Sequence, residues 1–261
     1  MLFDTHVNLH GEAFEADLTD VIARASEAGV TRMLAISDKL ENTEIIRRIV
    51  AENSNMWRSV GAHPHYAKDH AELSCAKLVD LAQPDDVVGI GETGLDFHYG
   101  YSPEADQKRC FAEHIEACQQ TGLPLIVHTR EADDDTGDML EEAFAKQPFP
   151  ILMHCYTSGE RLARRAIDLG AYFSVSGILT FKNARDVRAV AELYPEDKVI
   201  LETDCPYLSP VPLRGRRNEP AHLTHICAYY AELKGLSAED VARQTTENAL
   251  RLFSRIGQAA E

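Results

Sequence analysis

The chain has 261 residues, 44% hydrophobic and 26% charged, and its 26 Lys+Arg against 42 Asp+Glu give a net charge of −16. This composition excludes a disordered chain, a collagen-like repeat and a coiled-coil rod, and the length suits a single domain over 1–261. The acidity argues against a broad nucleic-acid-coating surface, because a phosphate strand needs positive potential where it lies, but it leaves room for a small basic patch at a pocket.

In chain order, short and nearly continuous apolar runs alternate with amphipathic stretches. Strands are predicted at 2–4, 32–37, 59–62, 87–92, 125–128, 151–154, 172–175 and 199–202. Runs of this kind suit parallel strands buried on both faces. Helices are predicted at 18–28, 43–51, 103–121, 137–146, 159–169 and 184–193, and two more close the chain at about 221–234 and 238–253. Gly29, Gly122 and Gly170 serve as C-terminal stops. Eight alternations without a composition break predict a single α/β (β/α)8 TIM-type barrel rather than a doubly wound sheet. The Pro-rich stretch 205–212 reads as a long loop after the last strand.

Met1-Leu2-Phe3-Asp4 runs straight into polar residues without a basic or apolar leader, and no apolar run approaches the roughly 18 residues that span a bilayer. The six cysteines form no CxxC, and Cys110 and Cys118 lie eight apart on a predicted helix, roughly 12 Å, too far to bridge. Reduced thiols, a cytoplasmic location and no membrane partner are therefore expected.

The informative residues fall where strands end. His6 follows the first strand, His63 and His65 the third, Glu92 ends the fourth, His128 the fifth and His154 the sixth, and Asp204 follows the eighth. A parallel barrel opens all these ends on one face, which carries the active site. Imidazole nitrogen with carboxylate oxygen suits Zn²⁺ or Mn²⁺, and Mg²⁺ less well. Glu92 has two oxygens and could bridge two divalent ions about 3.5–4 Å apart, a pair able to stabilise attacking and leaving oxygens and to lower the pKa of a bound water. Asp204 could hold one ion and take the water's proton.

The segments Asp4-Thr5-His6, Gly61-Ala62-His63-Pro64-His65, Gly89-Ile90-Gly91-Glu92-Thr93-Gly94-Leu95-Asp96, Pro124-Leu125-Ile126-Val127-His128-Thr129-Arg130, His154-Cys155-Tyr156, Leu201-Glu202-Thr203-Asp204-Cys205-Pro206-Tyr207-Leu208 and Arg216-Arg217-Asn218-Glu219-Pro220 occur in this order from end to end. Together the sequence resembles the TatD-type metal-dependent deoxyribonucleases, a branch of the amidohydrolase-superfamily barrels. The resemblance implies a hydrolase of DNA phosphodiester bonds, acting at 3′ ends, with two divalent ions on His6, Glu92, His128, His154 and Asp204. One position departs. Where the family has His-x-His after the first strand, this chain has His6-Val7-Asn8. Asn8 still faces the pocket, because residues two apart on a strand point the same way, but an amide oxygen is a poorer Zn²⁺ ligand than imidazole. The ion beside His6, Glu92 and Asp204 is thus expected to bind weakly or to favour Mg²⁺ or Mn²⁺. His10 could substitute only if the loop folds back, since two more strand residues add about 6.6 Å.

His63 is the candidate to hold a phosphate oxygen or protonate a leaving group, ahead of His65. Arg130 is set either to clamp phosphate or to pair with Glu131. Glu202 either orients a ligand or pairs with a buried Arg, and Asp96 could cap the loop after Glu92. Arg214-Gly215-Arg216-Arg217, with Lys182 and Arg185, could hold a DNA backbone. Arg216 is the substrate-binding candidate among them. Tyr156, Tyr207 and Phe181 are candidates to stack on a terminal base. Arg161, Arg164 and Arg165 read as a solvated helix face. Gly89-x-Gly91-x-x-Gly94 holds Glu92 and ends a strand, so it is not a dinucleotide cradle. Two alternatives share the sequence: an ester, amide or lactone hydrolase on the same barrel, and a nucleic-acid-binding homologue inactivated at Asn8.

Overall fold

Each apolar run becomes one strand of a single sheet. The computed structural model describes residues 1–258. In chain order the elements are β1 (Leu2–Val7), α1 (Leu18–Glu27), β2 (Val30–Ala35), α2 (Thr43–Ala51), β3 (Met56–Val60), α3 (Cys75–Leu81), β4 (Val87–Asp96), α4 (Glu104–Thr121), β5 (Leu125–Arg130), α5 (Asp133–Lys146), β6 (Ile151–Met153), α6 (Glu160–Asp168), β7 (Tyr172–Val175), α7 (Arg185–Ala191), β8 (Val199–Leu201), α8 (Leu223–Lys234), α9 (Ala238–Leu252) and α10 (Arg255–Gln258). Every neighbouring pair from β1 to β8 is parallel. A parallel bridge between Val7 and Cys205 brings the chain after β8 back to β1. The Asn8 N–H donates to the Cys205 carbonyl at 3.0 Å and the Asp204 N–H to the His6 carbonyl at 3.1 Å. The result is a (β/α)8 barrel.

The period of two in each strand separates two cores. Leu125, Val127, Ile151, Met153, Val199 and Leu201 pack with helix residues such as Val21, Ile46, Phe111 and Leu162. The alternate residues Ile126, Leu152 and Ile200 cluster instead with Phe3, Leu34 and Phe253. Phe253, just beyond α9, lies 6.3 Å ring to ring from Phe3 at the start of β1, so it plugs the N-terminal end of the barrel. Truncating such a filled aromatic to Ala costs about 3–5 kcal/mol. Two residues beyond Ile126, Leu152 and Ile200 stand His128, His154 and Glu202, which the same period turns into the barrel at its opposite end.

Several boundaries differ from the sequence reading. β1 continues past Asp4 to Val7 because its polar residues find partners: the Thr5 hydroxyl donates to the Leu201 carbonyl at 2.9 Å, and Thr203 donates to Asp4 through both its N–H and its hydroxyl. β2 and β3 lie two to three residues nearer the N-terminus than predicted. β4 runs past Glu92 to Asp96, and Gly94, at φ +137°, lets it approach β5 so closely that a Cβ there would collide with the His128 carbonyl. Helix α3 was not predicted, although Ser74 caps it by accepting from the Lys77 N–H at 3.4 Å. α5 starts at Asp133 rather than at Gly137, since Asp133, Asp134 and Asp135 suit the positive end of the helix dipole. Gly137 instead makes room for the Arg165 guanidinium. No described helix is long and apolar enough to cross a membrane.

Candidate metal centre

Glu92 stands at the middle of the cluster, and its two oxygens face different groups. Oε1 lies 3.2 Å from His128 Nδ1, 3.3 Å from His154 Nε2 and 3.5 Å from His63 Nε2. Oε2 lies 3.3 Å from His6 Nε2, which is itself 3.6 Å from Asp204 Oδ1. These separations are long for hydrogen bonds. They match the roughly 3.4 Å between two ligand atoms that each sit about 2.1 Å from a tetrahedral ion. Both ring nitrogens of the fully buried His6 lack a hydrogen-bond partner, a costly state that a cation at Nε2 would relieve. The donor set therefore fits divalent-ion binding, in which Glu92 would take part with His128 and His154 through one oxygen and with His6 through the other.

Neighbouring carboxylates decide which nitrogen His154 and His128 turn inward. His154 Nδ1–H donates to Glu202 Oε2 at 3.0 Å, which leaves the Nε2 lone pair for the centre. His128 Nε2–H donates to Asp96 Oδ2 at 3.1 Å, which leaves Nδ1. Glu202 thus orients His154 and does not pair with a buried Arg. Its place close to His6 and His154 resembles a ligand position, yet its separation from His154 is that of a hydrogen bond. His63 groups with Glu92 and His128 by distance. The His65 N–H, however, donates to His63 Nδ1 at 3.2 Å, so the neutral ring carries its proton on Nε2 and presents a donor there. Burial pushes the His63 pKa down to about 3, which keeps the ring neutral.

The carboxylates are tuned in opposite directions. Burial alone would raise the pKa of Glu92, but His154, His63 and His6 outweigh it and hold the group well below the usual range. Burial lifts Asp204 to about 6 and Asp4 to about 8. Asp204 has the left-handed backbone angle φ +55°, which is unfavourable for an L-residue and turns the carboxylate back toward His6.

Residues 3–254 match the family described as TatD related DNase. The chain belongs to that family. It is 38% identical over 253 residues to a metal-dependent hydrolase of Bacillus subtilis, YabD, spanning 97% of this chain and 99% of the relative. It is 35% identical over 257 residues to the 3′-5′ ssDNA/RNA exonuclease TatD of Cronobacter sakazakii, spanning 97% of each. Among solved structures, the TatD homologue YJJV of Escherichia coli K12 superposes with a TM-score of 0.88 at 26% identity, covering 97% of this chain and 98% of the other. A lactonase-like barrel from Deinococcus radiodurans shares the fold alone, with a TM-score of 0.63 at 17% identity. Fold and family place the chain among the TatD metal-dependent hydrolases.

Against that family pattern, Asn8 occupies the expected place, its Nδ2 donating to Asp204 Oδ1 at 3.4 Å. His10 does not fold back; it pairs with Asp38 at 2.9 Å. His65 faces Asp96 at 2.9 Å rather than Glu92. Arg130 stacks over Tyr99, 4.7 Å from the ring centre, while Glu131 pairs with His98. In the basic loop, Arg217 is held by Asp17 at 2.7 Å and Arg214 lies 3.7 Å over Phe181, whereas Arg216 is exposed. Tyr156 is buried and its hydroxyl donates to the Gly159 carbonyl, so it cannot stack on a base, and Phe181 lies under Arg214. Tyr207 remains exposed. Arg161, Arg164 and Arg165 pair with Asp134, Glu160 and Glu141 respectively. Tyr99 and Tyr101, two aromatics around Gly100 just after the strand that carries Glu92, lie outside the candidates read from the sequence. Asp96 caps the following loop by accepting from the His98 and Tyr99 N–H groups, and it also faces His65, in the turn after β3, and His128 on β5.

Proposed function

We propose that this chain removes nucleotides from the 3′ ends of single-stranded DNA by hydrolysing the terminal phosphodiester. The observation that carries the reading is Glu92, with one oxygen toward His128 and His154 and the other toward His6. His128, His154 and Glu92 would hold one divalent ion, and His6, Asp204, Glu92 and Asn8 a second, with Mg²⁺, Mn²⁺ and Zn²⁺ as the candidates. Ions so placed supply Lewis-acid stabilisation of the phosphoryl charge and lower the pKa of water.

The side chains do the rest. Asp204, 3.6 Å from His6 and at the edge of the cluster, would accept a proton from the attacking water. His63 Nε2–H donates to a non-bridging phosphate oxygen. Arg130 and the exposed Arg216 draw in the acidic strand, with no reversal of the overall charge. Beside the centre a groove is lined by Arg130, Arg161, Glu131, Asp133, Asp134 and Asp135. All six cysteines are free thiols, which suits a reducing cytoplasm.

The test incubates metal-free protein with end-labelled single-stranded DNA and adds Mg²⁺, Mn²⁺ or Zn²⁺ in turn. Shortening from the 3′ end is expected, and E92A and D204N should lose it while keeping their thermal unfolding cooperative. Full activity in either variant would refute the assignment. Binding without turnover under every ion would favour the inactive homologue instead.

A further inference from the structure

We propose that Tyr99 and Tyr101 form a stacking platform for unpaired bases of the strand whose 3′ end enters the centre; the proposal rests on the nuclease reading above. The two rings are parallel, with centroids 5.3 Å apart, and remain 47% and 55% exposed. A single exposed tyrosine needs no explanation, but an offset-stacked pair keeps the aromatic area of two half-exposed rings in solvent, with the outer face of the stack open to a further ring. His65 meets both rings edge-on, at 5.3 Å and 4.8 Å. His63 is the next ring, 4.3 Å from His65, and its Nε2 faces Glu92. The platform is thus one histidine removed from the group assigned to the phosphate.

The loop that carries it is anchored. Asp96 Oδ1 accepts from the His98 N–H at 3.0 Å and from the Tyr99 N–H at 3.1 Å, and Gln107 binds the Asp96 N–H. Little ordering therefore remains when a base lands. Arg130, over the Tyr99 ring, places a cation beside the stack, where it can meet the phosphate joining two stacked nucleotides. Every base has a π-face, so a platform of this kind selects unpaired bases without selecting sequence, and double-stranded ends must fray to use it.

The test measures fluorescence anisotropy of Mn²⁺-loaded protein with two labelled single strands. One is a short oligothymidylate with phosphorothioate linkages, which resist cleavage. The other is an abasic strand of the same length and linkages. Wild type is expected to bind the base-bearing strand at least about 10-fold more tightly than the abasic one. Y99A/Y101A should bind both as wild type binds the abasic strand, and Y99F/Y101F should keep the preference because the rings remain. Equal binding of the two strands by wild type would overturn the proposal. So would a preserved preference in Y99A/Y101A, or an equal loss on both strands, since the tyrosines would then act through the fold or the backbone. Failure of the nuclease reading is separately visible, as wild type without metal-stimulated cleavage of ordinary DNA.

Discussion

Asp96 Oδ2 accepts from His128 Nε2 at 3.1 Å, while its Oδ1 accepts from two backbone N–H groups of the following loop. His65 lies 2.9 Å from the same Oδ2, so both oxygens of this buried carboxylate face donors. An amide cannot serve there, because whichever way it lies its NH2 meets N–H groups. D96N should therefore weaken the ion bound through His128 Nδ1 by about 10–100-fold, the usual cost of losing a ligand's outer partner. Calorimetric Mn²⁺ titration checks this; wild-type affinity would show that Asp96 does not orient His128.

On the proposed two-ion reading, Asn8 would make the two positions unequal. Wild type should titrate with one tight and one weak Zn²⁺ equivalent, and N8H should strengthen the weak one by about tenfold or more, equivalent to ~1.4 kcal/mol. Equal stoichiometry and affinity in the two proteins would remove the weakened-site idea.

His114 gives the fold a pH dependence of its own. It is fully buried, its Nε2 accepts from the Ala62 N–H at 3.0 Å, and Nδ1–H donates to the Cys110 carbonyl at 2.7 Å. Burial lowers its pKa from the ordinary 6.5 to about 4. Below pH 6.5 the unfolded chain takes up a proton that the folded chain refuses, so stability falls as pH drops through that window and levels off near pH 4. The loss is on the order of 3 kcal/mol. Thermal unfolding of H114Q, which cannot titrate, should show a shallower decline over the same window than wild type; parallel curves would contradict it.

Arg216 and Arg217 are neighbours with different duties. Arg217 and Arg24 bind Asp17 and Glu219, which fastens the loop after β8 to α1. Arg216 is exposed and available to a phosphate. R216A should raise KM for single-stranded DNA and reduce the slope of log affinity against log salt by about 0.7. R217A should instead increase amide hydrogen exchange across 205–219. An unchanged salt slope in R216A would remove Arg216 from the binding surface.

The barrel, and the convergence of imidazoles and carboxylates at its mouth, were legible from local pattern alone. Doubly buried parallel strands must be short apolar runs, and their shared direction forces the residues at their C-terminal ends together. His6, Glu92, His128, His154 and Asp204 could be found on that ground. The lengths of β1 and β4 could not, since Asp4 and Thr5 are tolerated inside β1 only through partners on and after β8, and β4 continues only because Gly94 lets it press against His128. Long-range partners likewise set which ring nitrogen His128 and His154 present, through Asp96 and Glu202, whereas His63 takes its tautomer from the His65 N–H two residues on. Tertiary structure also sent His10 to Asp38, Arg217 to Asp17 and Tyr156 into the core, and left Tyr99 and Tyr101 in solvent. Local pattern carries the period and polarity of an element; a side chain's partner depends on distances across the fold, which no window of sequence contains.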